Sequence, residues 1–278
     1  MKFELIKRHC FYFFFLMVSL IYCSTPLSAD SVILPLGADL QSIIDKEDKN
    51  TRYVLQSGVH RGHEIILKDG DSLIGEPGAI LSGAELLKSW RYEAPYWVHD
   101  GPHSKLIPYL DDESRVWEER ANYPHDLFCD DVPLLQRMGL SEFLLTGKYW
   151  FYDYENDRVY IGFDPINHQM ELSGLSNFGL KANGKGVTIR NVRFENFATY
   201  NLNSAVELGS DGIFENCVVS GSHCIGIKIF SNSIIKNSKF NYNGLAGLHN
   251  GGDNTLIEYC EFGYNGWAGF SGDWARGG

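Results

Sequence analysis

Three ionisable side chains recur at one spacing in the last third of the chain: Glu207, Lys228 and His249 stand 21 residues apart, and Ser271 follows after 22. A carboxylate, an ammonium and an imidazole brought side by side could carry an elimination next to a carboxylate. A base removes the proton, a cation holds the enolate, and an acid protonates the departing oxygen. Lys228 or His249 would be the base, the other would supply charge or the proton, and Glu207 would tune Lys228. Just beyond, Ser271, Asp273, Trp274 and Arg276 offer a hydroxyl, a carboxylate, an aromatic platform and a guanidinium for binding a substrate. The competing reading is an ion-pair ladder that merely satisfies a sheet surface. Hydrolysis would need two carboxylates, and Glu207 and Asp273 lie three repeats apart, too far for a retaining pair.

Only a repeating fold makes neighbours of residues so far apart. Four segments carry the repeat: Ile189 to Phe194, Phe214 to Val219, Ile235 to Phe240 and Ile257 to Phe262. Their third residues, Asn191, Asn216, Asn237 and Tyr259, are spaced by 25, 21 and 22 residues. Each unit holds short alternating runs and no helical period. Such a unit cannot bury its apolar face alone, so it must stack on copies of itself. The result is one coil of a β-helix with three short strands per coil. A leucine-rich horseshoe shares the period but would need recurrent leucines, which are missing.

Asn tolerates the left-handed backbone of a tight bend, so Asn191, Asn216 and Asn237 are expected to form a ladder that Tyr259 interrupts. Strand alternation then sends Val206, Ile227, Leu248 and Phe270 inward, and it sends Glu207, Lys228, His249 and Ser271 outward. Ala205, Gly226, Gly247 and Gly269 are expected to flank that column as the floor of a groove.

The chain divides into residues 1–29, 30–86, 87–172 and 173–278. Lys2, Lys7 and Arg8 precede an apolar run from Phe11 to Tyr22 and a small-residue end at Ala29, the layout of a secretory signal peptide. Asp39 can cap a short helix with Leu40, Ile43 and Ile44 on one side, a plug for the first coil. Residues 87–172 break the repeat with four of the six tryptophans and a hairpin, Lys148–Tyr154 and Val159–Phe163. They read as a β-rich insertion whose aromatics build a core or stack on sugars. The end at Gly278 carries no capping element, so further coils are expected beyond it.

On the coil residues, over about 32–86 and 173–278, the chain resembles the right-handed parallel β-helix, pectate-lyase-like superfamily of polysaccharide lyases and chondroitinase-B-like proteins. The resemblance implies an all-β fold and carbohydrate chemistry: a lyase or hydrolase acting on a uronate-containing polysaccharide. The alternative is a non-catalytic glycan-binding or adhesive surface protein. The chain departs from the group's sharper motifs, having no Asp-Pro-His run and no calcium-holding carboxylate triplet, so the resemblance selects no reaction.

Charge and cysteine usage narrow the partners. The net charge is −11, and −13 without residues 1–29. So acidic a chain is not built to neutralise a phosphate backbone, which argues against nucleic acid. With the leader removed, a monomer without membrane attachment is expected, secreted, periplasmic or on the cell surface. Cys129, Cys217, Cys224 and Cys260 match no zinc spacing; Cys217 and Cys260 share an inward column two coils apart, too far for a disulfide. No cofactor is implied. Asp211, Asn232, Asp253 and Ala275 align in a column whose oxygens could hold calcium, or simply cap turns.

Overall fold

The computed structural model describes residues 31–104, 106, 119–200 and 202–270. The leader at 1–29, Trp117, and the binding residues expected at Ser271, Asp273, Trp274 and Arg276 lie outside that range. Among the described residues no helix is long and apolar enough to cross a membrane.

The short alternating runs fold into three parallel sheets wound as a β-helix. The first sheet stacks seven strands: Ser31–Leu34, Arg52–Leu55, Ser72–Gly75, Thr188–Arg190, Ile213–Glu215, Ile234–Lys236 and Leu256–Glu258. The second stacks six: Gly58–Arg61, Ala79–Ser82, Arg193–Glu195, Val218–Ser220, Lys239–Asn241 and Glu261–Gly263. The third stacks five: Ile65–Leu67, Leu180–Ala182, Ser204–Leu208, Ile225–Ile229 and Ala246–Asn250. Each coil visits the sheets in that order. Apolar side chains at alternate positions meet inside, where Phe194, Phe214 and Phe240 are fully buried. Their rings stack coil on coil with centroids 6.1 and 6.0 Å apart.

The bends explain the asparagines, with one correction. Asn191, Asn216, Asn237 and Tyr259 all take φ between 50 and 59°, the left-handed region in which Asn is least penalised. Their side chains form no ladder among the described residues. The coil-to-coil bond is the backbone amide's, as in Asn216 N to Lys236 O at 3.1 Å. The side-chain ladder lies one bend later, inside the helix. Buried Asn243 accepts from Ser222 N at 3.2 Å, and its amide reaches Val219 O at 3.3 Å and Asn265 Oδ1 at 3.1 Å. That wider bend turns backbone groups inward, and buried polar backbone must find partners.

At the N-terminal end, Asp39 accepts from Ser42 N at 3.2 Å and caps the helix Leu40–Ile44. Leu40 and Ile44 are fully buried over the first coil, so the expected plug is present.

After Ser82 the chain leaves the coils and rejoins them at Leu180, whose strand pairs directly with Ile65–Leu67. The stack therefore continues as though nothing intervened. The excursion is antiparallel except where Leu135–Arg137 runs parallel to Tyr149–Asp153. One sheet holds Ala84–Leu86, Met170–Ser173, Leu127–Cys129 and Val132–Pro133, and the other holds Trp90–Glu93, Tyr96–Asp100, Arg158–Ile161, Tyr149–Asp153 and Leu135–Arg137. The expected hairpin pairs Tyr152 with Val159. Trp150 is fully buried and donates to Leu134 O at 3.1 Å, so this tryptophan is core. Arg61 bolts the root of the excursion to the second sheet through an ion pair with Glu171 and a bond to Ala84 O at 2.7 Å.

Candidate functional site

In the third sheet the register pairs Lys181 with Glu207, Glu207 with Lys228, and Lys228 with His249. Adjacent strands lie about 4.8 Å apart, so the expected column exists and gains Lys181 at one end. All four side chains are half-exposed, while Val206 and Ile227 behind them are fully buried. Lys181 also lies 4.0 Å over the Phe178 ring. Lys181 escaped the repeat because the excursion separates its strand from the coil before it. The in-out-in pattern Leu180, Lys181, Ala182 matches Val206, Glu207, Leu208 and was the available signal.

Among the described residues, neither Glu207 nor Lys228 forms an ion pair. The other two outer faces differ. On the first sheet Arg190 reaches Glu215 at 2.9 Å and Lys236 reaches Glu258 at 3.1 Å, and on the second Lys239 reaches Glu261 at 2.7 Å.

The flanking small residues are not a groove floor. A Cβ on Gly226 would lie 2.5 Å from Gly247 O and 2.9 Å from Asn243 Nδ2; one on Gly247 would lie 2.9 Å from Asn265 Nδ2 and from Phe240 Cβ. Ala205 is fully buried in the core. The strand bends here, so two successive positions face inward and glycine is required for lack of room. Phe270 departs from expectation in the other direction. Instead of joining the coil interior it packs with Ala121, Cys224, Ile225, Leu245 and Ala268.

That cluster seats a strap from the excursion, the 3-10 turn Glu119–Asn122, on the near end of the third sheet's outer face. A histidine pins it. His223 Nε2 donates to Ala121 O at 3.0 Å, and Nδ1 lies 3.0 Å from Asp126 Oδ2, both side chains being almost wholly buried. Burial opposes charge on each partner and raises the Asp126 pKa. For His223 burial acts downward, but the Asp126 carboxylate, its hydrogen bond and the Ala121 carbonyl together raise it. The pair therefore holds a proton between its two members. His125, close by, donates to Ser104 O at 2.7 Å and faces Tyr154 Oη at 3.2 Å; burial pushes its pKa down to about 4. Periodicity could not find Asp126 and His125, because the excursion has none, and His223, though in a coil, takes its partners from the excursion.

Of the column expected to hold calcium or cap turns, Ala275 lies outside the described residues. Asn232 Nδ2 donates to Asp211 Oδ1 at 2.9 Å, one coil to the next, and Asp253 N donates to Ser231 Oγ at 3.2 Å. All four cysteines named above are unpaired. Cys217 is core, with its Sγ 3.2 Å from Glu215 O, and Cys260 repeats the arrangement at 3.4 Å from Glu258 O.

A concavity of about 580 Å³ opens on the excursion between Trp90, Trp97, Lys88, Asp164 and His168. Trp90 and Trp97 are half-buried there.

No protein-family model matches the chain, and no curated protein does. Among solved structures, XylC in its complex with xylose superposes with a TM-score of 0.65 at 13% identity, over 84% of this chain and 52% of that one. A glycoside hydrolase superposes with a TM-score of 0.54 at 11% identity, over 79% of this chain and 66% of the other. The chain thus spans about half the length of the first and just under two thirds of the second. Likenesses at such identity establish architecture and not chemistry. With the sheets above, they show that the chain has a parallel β-helix fold.

Proposed function

We propose that the chain is an exported carbohydrate-active enzyme that cleaves a uronate-containing polysaccharide on the outer face of its third sheet. The observation that carries this reading is the column Lys181, Glu207, Lys228 and His249, held in register, with Glu207 and Lys228 in no ion pair among the described residues. On a chain of net charge −11, two ammonium groups one strand either side of a carboxylate favour an anionic sugar. The likeness to a protein solved with xylose and to a glycoside hydrolase supports carbohydrate as the ligand class. The leader-like pattern of residues 2–29 supports export.

The chemistry is a β-elimination. Lys181 and Lys228 neutralise the uronate carboxylate, which acidifies the proton α to it. His249 takes that proton. The electron pair left behind forms the new double bond and expels the glycosidic oxygen, which is protonated by the Lys228 ammonium or by water. Glu207, one strand away, adds a negative field that favours the charged form of Lys228.

The test is incubation of the full chain with polyuronates and glycosaminoglycans, following ultraviolet absorbance of the unsaturated product and release of reducing ends. Absorbance lost in Lys228→Ala and His249→Ala supports the proposal. Reducing ends without absorbance make the reaction a hydrolysis, and turnover unchanged in both variants sinks the site. A second reading, a non-catalytic glycan binder, is favoured by the Trp90 and Trp97 cleft. Retained glycan binding with no turnover on any substrate would select it.

A further inference from the structure

The fold brings together a sulfur, an oxygen and a nitrogen donor that the sequence keeps 39 residues apart. Cys129 ends the strand Leu127–Cys129, Asp130 follows at the turn with φ 50°, and His168 arrives on the returning segment. Cys129 sits opposite Met170 in the antiparallel register, so the two segments are held side by side by the sheet itself. Their ligand atoms all lie within 4.8 Å of one another.

The carboxylate between them is aimed by the backbone. Asp130 N donates to Gln169 O at 3.0 Å, and Asp130 Oδ1 accepts from Gln169 N at 2.9 Å. Those bonds fix the carboxylate plane and leave Oδ2 facing the other two donors. Oδ2 stands 2.6 Å from His168 Nδ1 and 3.9 Å from Cys129 Sγ. The Phe163 ring braces the imidazole edge-on at 5.7 Å. Ligands steadied by their own outer hydrogen bonds are the usual construction of a metal centre.

We propose that Cys129, Asp130 and His168 form a binding site for one borderline divalent cation, zinc above all, tying the turn after Leu127–Cys129 to the segment that leads into Met170–Ser173. The mixed donor set argues for zinc over calcium or magnesium, which take oxygen alone. Tetrahedral zinc with ordinary bond lengths separates a nitrogen from an oxygen ligand by about 3.3 Å and either from a sulfur by about 3.5 Å. The thiol already stands near that distance from Oδ2. The imidazole must withdraw by less than an ångström, and its side chain is 40% exposed with room to do so. Solvent supplies the fourth ligand, since the carboxylate is 54% exposed.

Binding exchanges one proton. The Cys129 thiol, whose pKa burial and the neighbouring Asp130 charge push up to about 11, gives its proton to solvent as the Sγ–metal bond forms. His168 Nδ1 gives up its hydrogen bond with Asp130 Oδ2 and binds the ion, with the ring hydrogen carried on Nε2. Four-residue cysteine and histidine spacings could not reveal the site, because its ligands come from two strands joined only by the sheet.

The test uses the full chain, reduced and stripped with a chelator, titrated with cobalt(II) and then with zinc(II). The expected result is one ion per chain, a thiolate-to-cobalt absorption band that zinc abolishes, and a thermal midpoint raised by zinc. Cys129→Ser should lose the band, and Cys129→Ser and His168→Ala should each weaken zinc binding by more than about tenfold. Cys260→Ser should do neither. Circular dichroism establishes that each variant is folded before titration, and Asp130→Asn provides a second variant if one of the others is not. No thiolate band in the folded parent, or a band and affinity unchanged in Cys129→Ser, overturns the proposal.

Discussion

The outer faces of the first two sheets and that of the third are built from one repeat, yet their charges are disposed differently. On the first two, Arg190, Lys236 and Lys239 each reach a glutamate one coil on, Glu215, Glu258 and Glu261. On the third, Glu207 and Lys228 are neighbours in register and form no ion pair among the described residues. A solenoid surface must be polar, and cross-coil pairing is the ordinary way to make it so. A face that has the charges in register and leaves them unpaired keeps them available to a ligand. The same coil chemistry thus yields two walls that stabilise and one that can act.

The largest effect that would break this comparison is on turnover. Lys228→Ala and His249→Ala should each lower kcat/KM for a uronate polymer by about 10²-fold or more, with little change in the thermal midpoint. Lys236→Ala, on the first sheet, should leave turnover unaltered. Equal losses from both faces would mean that charge on the helix at large, not the third sheet, governs activity.

The comparison extends to pH, because the excursion whose strap lies beside the third sheet contains buried histidines. The His125 pKa is about 4 in the folded chain, against an ordinary 6.5. The unfolded chain therefore binds the proton first as pH falls. Stability from this group is complete above about 6.5 and is lost between there and about 4, on the order of 3 kcal/mol in all. His99, also lowered to about 4 by burial, adds in the same direction, and His223, raised, acts in the opposite one. Urea unfolding at several pH values should show the fall, and His125→Gln should flatten it. An unchanged slope would remove His125 as its source.

A smaller effect decides what the glycines beside the column do. Gly226→Ala should cost about 1–3 kcal/mol, because the new methyl meets backbone and Asn243 inside the coil. A lower urea midpoint with unchanged KM fits an interior glycine. A raised KM at unchanged stability would return it to the floor of a groove.

These glycines also mark where the sequence stopped being legible. Period and alternation were enough to predict coils, left-handed bends at Asn191, Asn216 and Asn237, and the adjacency of Glu207, Lys228 and His249, because stacking obliges equivalent positions to meet. Alternation failed at Gly226 and Gly247, where a bend sends consecutive residues inward, and at Phe270, which packs under the strap. The true side-chain ladder at Ser222, Asn243 and Asn265 looked like ordinary turn composition. Lys181, Asp126, His223 and the donors around Cys129 lay hidden for one reason. Each depends on where the excursion leaves and rejoins the coils, and nothing periodic records that.

The smallest effect tests the ion pairs themselves. A double-mutant cycle on Arg190 and Glu215, measured by urea unfolding, should return a coupling of about 0.5 kcal/mol, typical of half-exposed pairs. The same cycle on Glu207 and Lys228 should return none that can be resolved, since their side chains do not meet in the free chain. A bound anionic oligosaccharide should change only the second result, by drawing both side chains to one ligand. Coupling as large on the third sheet as on the first, without ligand, would make its charges a third stabilising ladder and remove the reason for placing chemistry there.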